Sequence, residues 1–170
     1  AQILLGFGAN PDASNELGAT PLWLAASNGS AAMVEKLLTA GANPNARLRM
    51  GETSLMSASR TGDLDTVSLL INAGAEIDAA EEERGQTALM WAVAQSHRAV
   101  ASMLLEHGAD LNARSKVWYQ LENTAGNTNP SGNYRMAHGG SSAIMFASRV
   151  GDIDTAETLL DAGADVNETA

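Results

Sequence analysis

The chain has 170 residues, 45% hydrophobic and 18% charged, enough for one domain or one repeat array with a buried core. A formal net charge of −10 argues against nucleic acid as a partner, and no apolar run approaches the length of a membrane span. The absence of cysteine excludes disulfide frameworks, thiolate metal sites and cysteine nucleophiles, and leaves the compartment open.

Residues 1–13, "AQILLGFGANPDA", read as the second half of a helix pair, closed by a Gly-Ala turn. A complete unit follows at 15–46. Thr20 suits an N-cap and Pro21 the first helical position, where a missing N–H wastes no hydrogen bond. Leu22, Ala25 and Ala26 then recur at helical spacing on a narrow face, and Gly29 breaks the helix. Val34, Leu37 and Leu38 stripe a second helix, Gly41 sits where a left-handed cap is needed, and "ANPNA" forms a turn.

The same order recurs at 47–79, 80–113 and 138–168. The leading glycines, Gly18, Gly51, Gly85 and Gly140, are 33, 34 and 55 residues apart. From Thr20, Thr53, Thr87 and Ser142, a second glycine always lies 21 residues on. One such helix pair cannot bury its apolar stripe alone, so the units are expected to stack.

The period, with "GATPLWLAA" and "GANPNA", resembles ankyrin repeats across about 145 of the 170 residues. The resemblance implies an all-α solenoid of antiparallel helix pairs, with loops projecting as fingers and a concave groove that binds proteins. The usual Thr-Pro-Leu-His departs here to "TPLW", "TSLM", "TALM" and "SAIM", so a histidine-to-cap hydrogen bond is expected to give way to apolar packing. Ser96 stands where a glycine separates the two helices, a change that is tolerable if this position can leave the left-handed region. Both ends read as cut, so a longer array or flanking segments are expected.

Catalytic signatures are missing: there is no G-x-S-x-G, P-loop or G-x-G-x-x-G, and no pair of histidines has ligand spacing. "GGSS" at 139–142 is read as the start of a helix rather than a phosphate nest. Asp63 and Asp65, like Asp152 and Asp154, suit helix capping better than calcium. "EEER" at 81–84 is read as a solvated acidic fingertip. The chain is therefore read as non-catalytic, with no cofactor and no metal.

Matching the resemblance residue by residue places Arg49, Met50, Arg60, Arg84 and Arg149 on the groove and its fingers. Most acids fall on the second-helix side, so the groove is expected to be locally basic, diluted by Glu16, Glu52 and Glu83, and to suit an acidic protein or peptide.

Between units three and four, "KVWYQLENTAGNTNPSGNYRMAHGG" enlarges one finger: Ala113 to Gly140 spans 27 residues, against 5 for Ala13 to Gly18. The insertion, residues 114–137, is expected to form a long hairpin or Ω-loop with Val117–Leu121 and Tyr134–Met136 near its base. It concentrates Trp118, Tyr119 and Tyr134, which serve either as interface anchors or as staples holding the loop. The preferred reading is a protein-interaction module that binds through the groove and the inserted finger. The alternatives are a targeting or substrate-recruiting segment of a longer enzyme, a small-molecule pocket in the insertion, or self-assembly through it. Neither oligomeric state nor compartment follows from the sequence.

Overall fold

A computed structural model describes residues 6–123 and 133–167, with the backbone alone for 120–123 and 133–136, and among them four helix pairs and one β-hairpin are complete. The pairs are α1 (Pro21–Ser27) with α2 (Ala31–Thr39), α3 (Ser54–Thr61) with α4 (Leu64–Asn72), α5 (Ala88–Ala94) with α6 (Arg98–Glu106), and α7 (Ala143–Val150) with α8 (Ile153–Asp161). Strands β1 (Val117–Asn123) and β2 (Asn133–Gly139) lie between α6 and α7. First helices pack on first helices in the order α1, α3, α5, α7, and second helices on second helices likewise, which makes the stack a solenoid. No helix among the described residues is long and apolar enough to cross a membrane.

Short helices hold because their ends are satisfied. Thr20, Thr53 and Thr87 hydroxyls accept the N–H groups of Trp23, Met56 and Met90. In unit two the Thr53 N–H also donates to Met56 Sδ at 3.5 Å, so the expected loss of a side-chain bond at that position is only partial. Thioether sulfur is a weak acceptor, but it serves a donor that is otherwise orphaned. Asp63 and Asp152 cap α4 and α8 through the N–H groups of Thr66 and Thr155, as the sequence predicts.

The core is one repeated position after another. Leu22, Leu55 and Leu89 are almost wholly buried, as are Leu37, Leu70, Leu104 and Leu159 in the second helices. Each such side chain contributes about 1.5–3 kcal/mol by leaving water. Among them lie alanines, Ala26, Ala58, Ala92 and Ala147, that let neighbouring helices approach closely.

Polar ladders fix the register between units. Asp12 Oδ1 accepts the Asn43 N–H, Asn45 Oδ1 the Glu76 N–H and Asp78 Oδ1 the Asp110 N–H, each at 2.8 Å. The fingers are joined by backbone bonds: Arg49 N–H to Leu17 O at 3.0 Å, Glu82 N–H to Met50 O at 2.7 Å and Lys116 N–H to Arg84 O at 2.6 Å.

The inter-helix position shows how neighbouring units constrain each other. At Gly62 a Cβ would meet the His97 ring at 2.6 Å, so glycine is required there for space as well as for its φ of 78°. Ser96 does not leave the left-handed region: its φ is 58°. Its hydroxyl lies near Asp152 of the next unit and helps to hold that carboxylate below its ordinary pKa.

Candidate functional site

The first helices and the fingers share one surface, and the candidate site is built on it. Arg60 closes α3 and reaches across to unit three, where its guanidinium lies 5.1 Å from the Trp91 ring centroid. These two residues, with Gln86, Ala94 and Gln95, line a shallow pocket of about 200 Å³. The Trp91 indole Nε1 is buried with no hydrogen-bond partner among the described residues, which costs about 1–3 kcal/mol. His97 Nε2 lies 3.0 Å from the Arg60 carbonyl oxygen, tying the C-terminal turn of α3 to the start of α6.

The same pairing recurs twice more. Arg149 stacks over Phe146 at 5.2 Å and donates to Ser141 Oγ at 3.2 Å. Arg84, in the third finger, lies 5.5 Å from the centroid of Trp118 at the base of β1. A guanidinium lying on an aromatic face is held in place while its N–H edges stay available to a planar anion.

The charges around these arginines are unevenly answered. Away from this surface, Arg47 pairs with Glu76 at 2.6 Å and Arg98 with Asp154 at 3.9 Å. On it, Arg49, Arg84 and Arg149 have no carboxylate within 4.0 Å among the described residues. Arg60 alone meets one, Glu52 Oε1 at 3.9 Å. That oxygen already accepts Ser57 Oγ–H at 2.6 Å and Trp23 Nε1–H at 3.2 Å. Glu52 is thus a bound strut between units one and two. On the second-helix side, Asp152 is held below its ordinary pKa of 3.8, chiefly by hydrogen bonds from Thr155.

The third finger is a solvated tip at Glu82, Glu83 and Arg84, which are exposed, but not at Glu81. Glu81 is buried, and its carboxylate accepts the N–H groups of Glu83 at 2.7 Å, Arg84 at 2.9 and 3.0 Å and Gln86 at 2.9 Å. The same phase holds Asn15 in finger one, which accepts from Leu17 and Ala19, and Ser115 in the inserted finger, which accepts from Ser141. This carboxylate therefore shapes the finger that carries Arg84.

The insertion forms an antiparallel hairpin, with Val117 opposite Gly139 and Asn123 opposite Asn133. Trp118 stacks on its cross-strand neighbour His138, ring centroids 5.9 Å apart and planes 20° apart, while Arg84 approaches the same indole. Trp118 is therefore a staple between finger three and the hairpin. Tyr119 and Val117 alternate to the opposite face and stand 60% and 54% exposed, so Trp118 and Tyr119 lie on opposite faces of the hairpin. Tyr134 is placed in β2 opposite Glu122, and its side chain lies outside the described residues. Gly139, in the left-handed region, allows the close approach of the Lys116 carbonyl and the Trp118 ring.

Of the residues singled out from sequence, the structure joins Arg60, Arg84 and Arg149 to aromatic floors, leaves Arg49 exposed, and leaves Met50 53% exposed on a fingertip. Trp91 and Phe146 were not singled out, although both occupy the fourth place after the cap residue, the phase of Leu24 and Ser57. Alignment by phase is the signal that finds them. No group of three or more histidine, aspartate or glutamate side chains is arranged to hold a metal among the described residues.

A family model described as ankyrin repeats, three copies, matches residues 1–81 and 48–115, and a model for a single ankyrin repeat matches 139–170. No curated protein matches the chain.

Proposed function

Because the chain belongs to the ankyrin-repeat family, whose members are generally protein–protein interaction modules, we propose that it is a non-catalytic adaptor that binds an acidic protein segment in the groove of first helices and fingers. The observation that carries this reading is the set of arginines stacked on aromatic rings. Arg60, Arg84 and Arg149 are held by Trp91, Trp118 and Phe146, and the last two arginines meet no carboxylate within 4.0 Å among the described residues.

In a chain of net charge −10, such cations represent a local reversal of sign. A complementary acidic segment is steered in and gains charge-assisted hydrogen bonds where water is excluded. Met50 and the pocket wall at Trp91 supply apolar contact beside them, and Arg49 adds charge at the second finger. Tyr119 and Tyr134 belong to the inserted finger that borders this surface.

Pull-down with the intact chain, with Arg60→Glu plus Arg149→Glu, and with residues 117–139 replaced by a short turn separates groove from finger. The reading expects the double charge reversal to abolish capture of acidic partners and the deletion to weaken it. Undiminished capture by the double variant overturns it.

A further inference from the structure

The residue between the leading glycine and the helix cap is Glu52 in unit two, Gln86 in unit three and Ser141 in unit four. In unit two this place is a carboxylate that is already engaged. Glu52 Oε1 accepts Ser57 Oγ–H at 2.6 Å and Trp23 Nε1–H at 3.2 Å, and lies 3.9 Å from Arg60. In unit three the same phase is neutral, and Trp91 takes the phase of Ser57. The pocket there is lined by Arg60, Gln86, Trp91, Ala94 and Gln95, with no carboxylate among them. Arg60 rests on the Trp91 ring with about half of its side chain exposed, and its positive charge excludes a cationic guest. At about 200 Å³ the pocket is smaller than the roughly 300–1,000 Å³ of small-molecule sites and has room for one side chain.

We propose that this pocket takes a single glutamate side chain of the acidic segment, which presupposes that the groove binds such a segment. The methylenes of the glutamate lie against Trp91 and Ala94. Its carboxylate meets the Arg60 guanidinium and the amide N–H groups of Gln86 and Gln95, as the protein's own Glu52 meets its donors one unit earlier. Gln86 is the specificity-determining residue. A carboxylate in its place would answer Arg60 from within and repel an incoming anion. Unit two is closed in that way by Glu52, and in unit four Ser141 Oγ accepts from Arg149 at 3.2 Å. The pocket of unit three thereby sets the register of the partner along the groove.

The test is a mutant cycle between the pocket and an end-blocked peptide selected on the intact chain from a library of Glu, Ala, Ser and Gly. Affinities come from fluorescence anisotropy, with circular dichroism to confirm folding. Changing each peptide Glu to Gln in turn is expected to reveal one position where wild-type affinity falls at least about tenfold. Glu→Asp at that position is expected to weaken binding about fourfold, the loss of one methylene contact. Gln86→Glu is expected to flatten the position, so that Glu→Gln there changes affinity less than about twofold. Ala94→Leu fills the pocket without adding charge, at a phase where Arg60 and Arg149 show that long side chains are accommodated, and is expected to flatten it as well. Arg149→Glu weakens binding overall but keeps the position's dependence. A peptide in which every Glu counts about equally overturns the pocket assignment and leaves the groove reading standing. So does a position that stays sensitive in both Gln86→Glu and Ala94→Leu, or one where Asp binds as well as Glu. Peptides that bind no better than their carboxamide forms overturn the groove reading and the pocket assignment together.

Discussion

Asn45 accepts the backbone N–H of Glu76 at 2.8 Å and donates its own amide to Gly74 O at 3.0 Å, bridging two units with one side chain. Units in such a stack hold together only through intrinsic and nearest-neighbour interactions. Asn45→Ala is therefore expected to lower stability by about 1–2 kcal/mol in urea denaturation. Asn45→Asp keeps the acceptor that Asp12 and Asp78 use at the same phase, and is expected to lose less than half as much. Equal losses in the two variants would show that the acceptor does not matter.

Glu81 gathers the finger behind Arg84. Hydrogen bonds to a charged group are worth about 1.5–3 kcal/mol, so Glu81→Ala is expected to cost about 3 kcal/mol and Glu81→Gln roughly half of that. Hydrogen exchange at Arg84 and Gln86 amides checks the cause, since both donate to this carboxylate. Unchanged protection in Glu81→Ala contradicts the assignment.

Ser96 is a strained residue with a partial remedy. Its left-handed backbone costs about 1–2 kcal/mol, while its hydroxyl gives a little back by favouring the charged form of Asp152. Ser96→Gly is expected to raise the urea midpoint, and Ser96→Ala to lower it. A destabilised Ser96→Gly would mean that the link to Asp152 outweighs the strain.

Asp152 sets a pH dependence whose sign is fixed by its lowered pKa. A carboxylate with a folded pKa below 3.8 contributes stability above that value, and the contribution is lost as pH falls through the folded pKa. Asp152→Asn is therefore expected to be less stable than wild type at neutral pH and to converge with it in acid. The group is only partly buried, so added salt shrinks the difference. A gap that persists in strong acid would point to lost packing instead.

The stack was legible because its determinants are local and repeat. Thr20, Thr53 and Thr87 each announce a helix, and Leu22, Leu55 and Leu89 announce its buried face. Across-unit chemistry was less visible. Glu81 looks solvated in "EEER" because its burial depends on three backbone N–H groups that turn inward only once the finger closes. Glu52 looks like a free charge until Trp23, 29 residues away, is packed beside it. Trp91 carries no signal of its own in the sequence, because its place follows from Arg60 in the preceding unit, a pairing that composition does not reveal. Ser96 keeps its left-handed backbone because the stacked neighbours determine the turn more strongly than one side chain opposes it.

The central claim is that the arginine-lined groove selects acidic segments. It is tested most directly by fluorescence titration of the intact chain with acidic peptides and with their carboxamide counterparts, repeated for Arg60→Glu with Arg149→Glu. The account predicts tight, salt-sensitive binding of the acidic forms, a large loss on conversion to carboxamides, and a loss of at least about 2–4 kcal/mol in the double variant. Equal affinity for acidic and carboxamide peptides, or a double variant that binds as well as wild type, would contradict it.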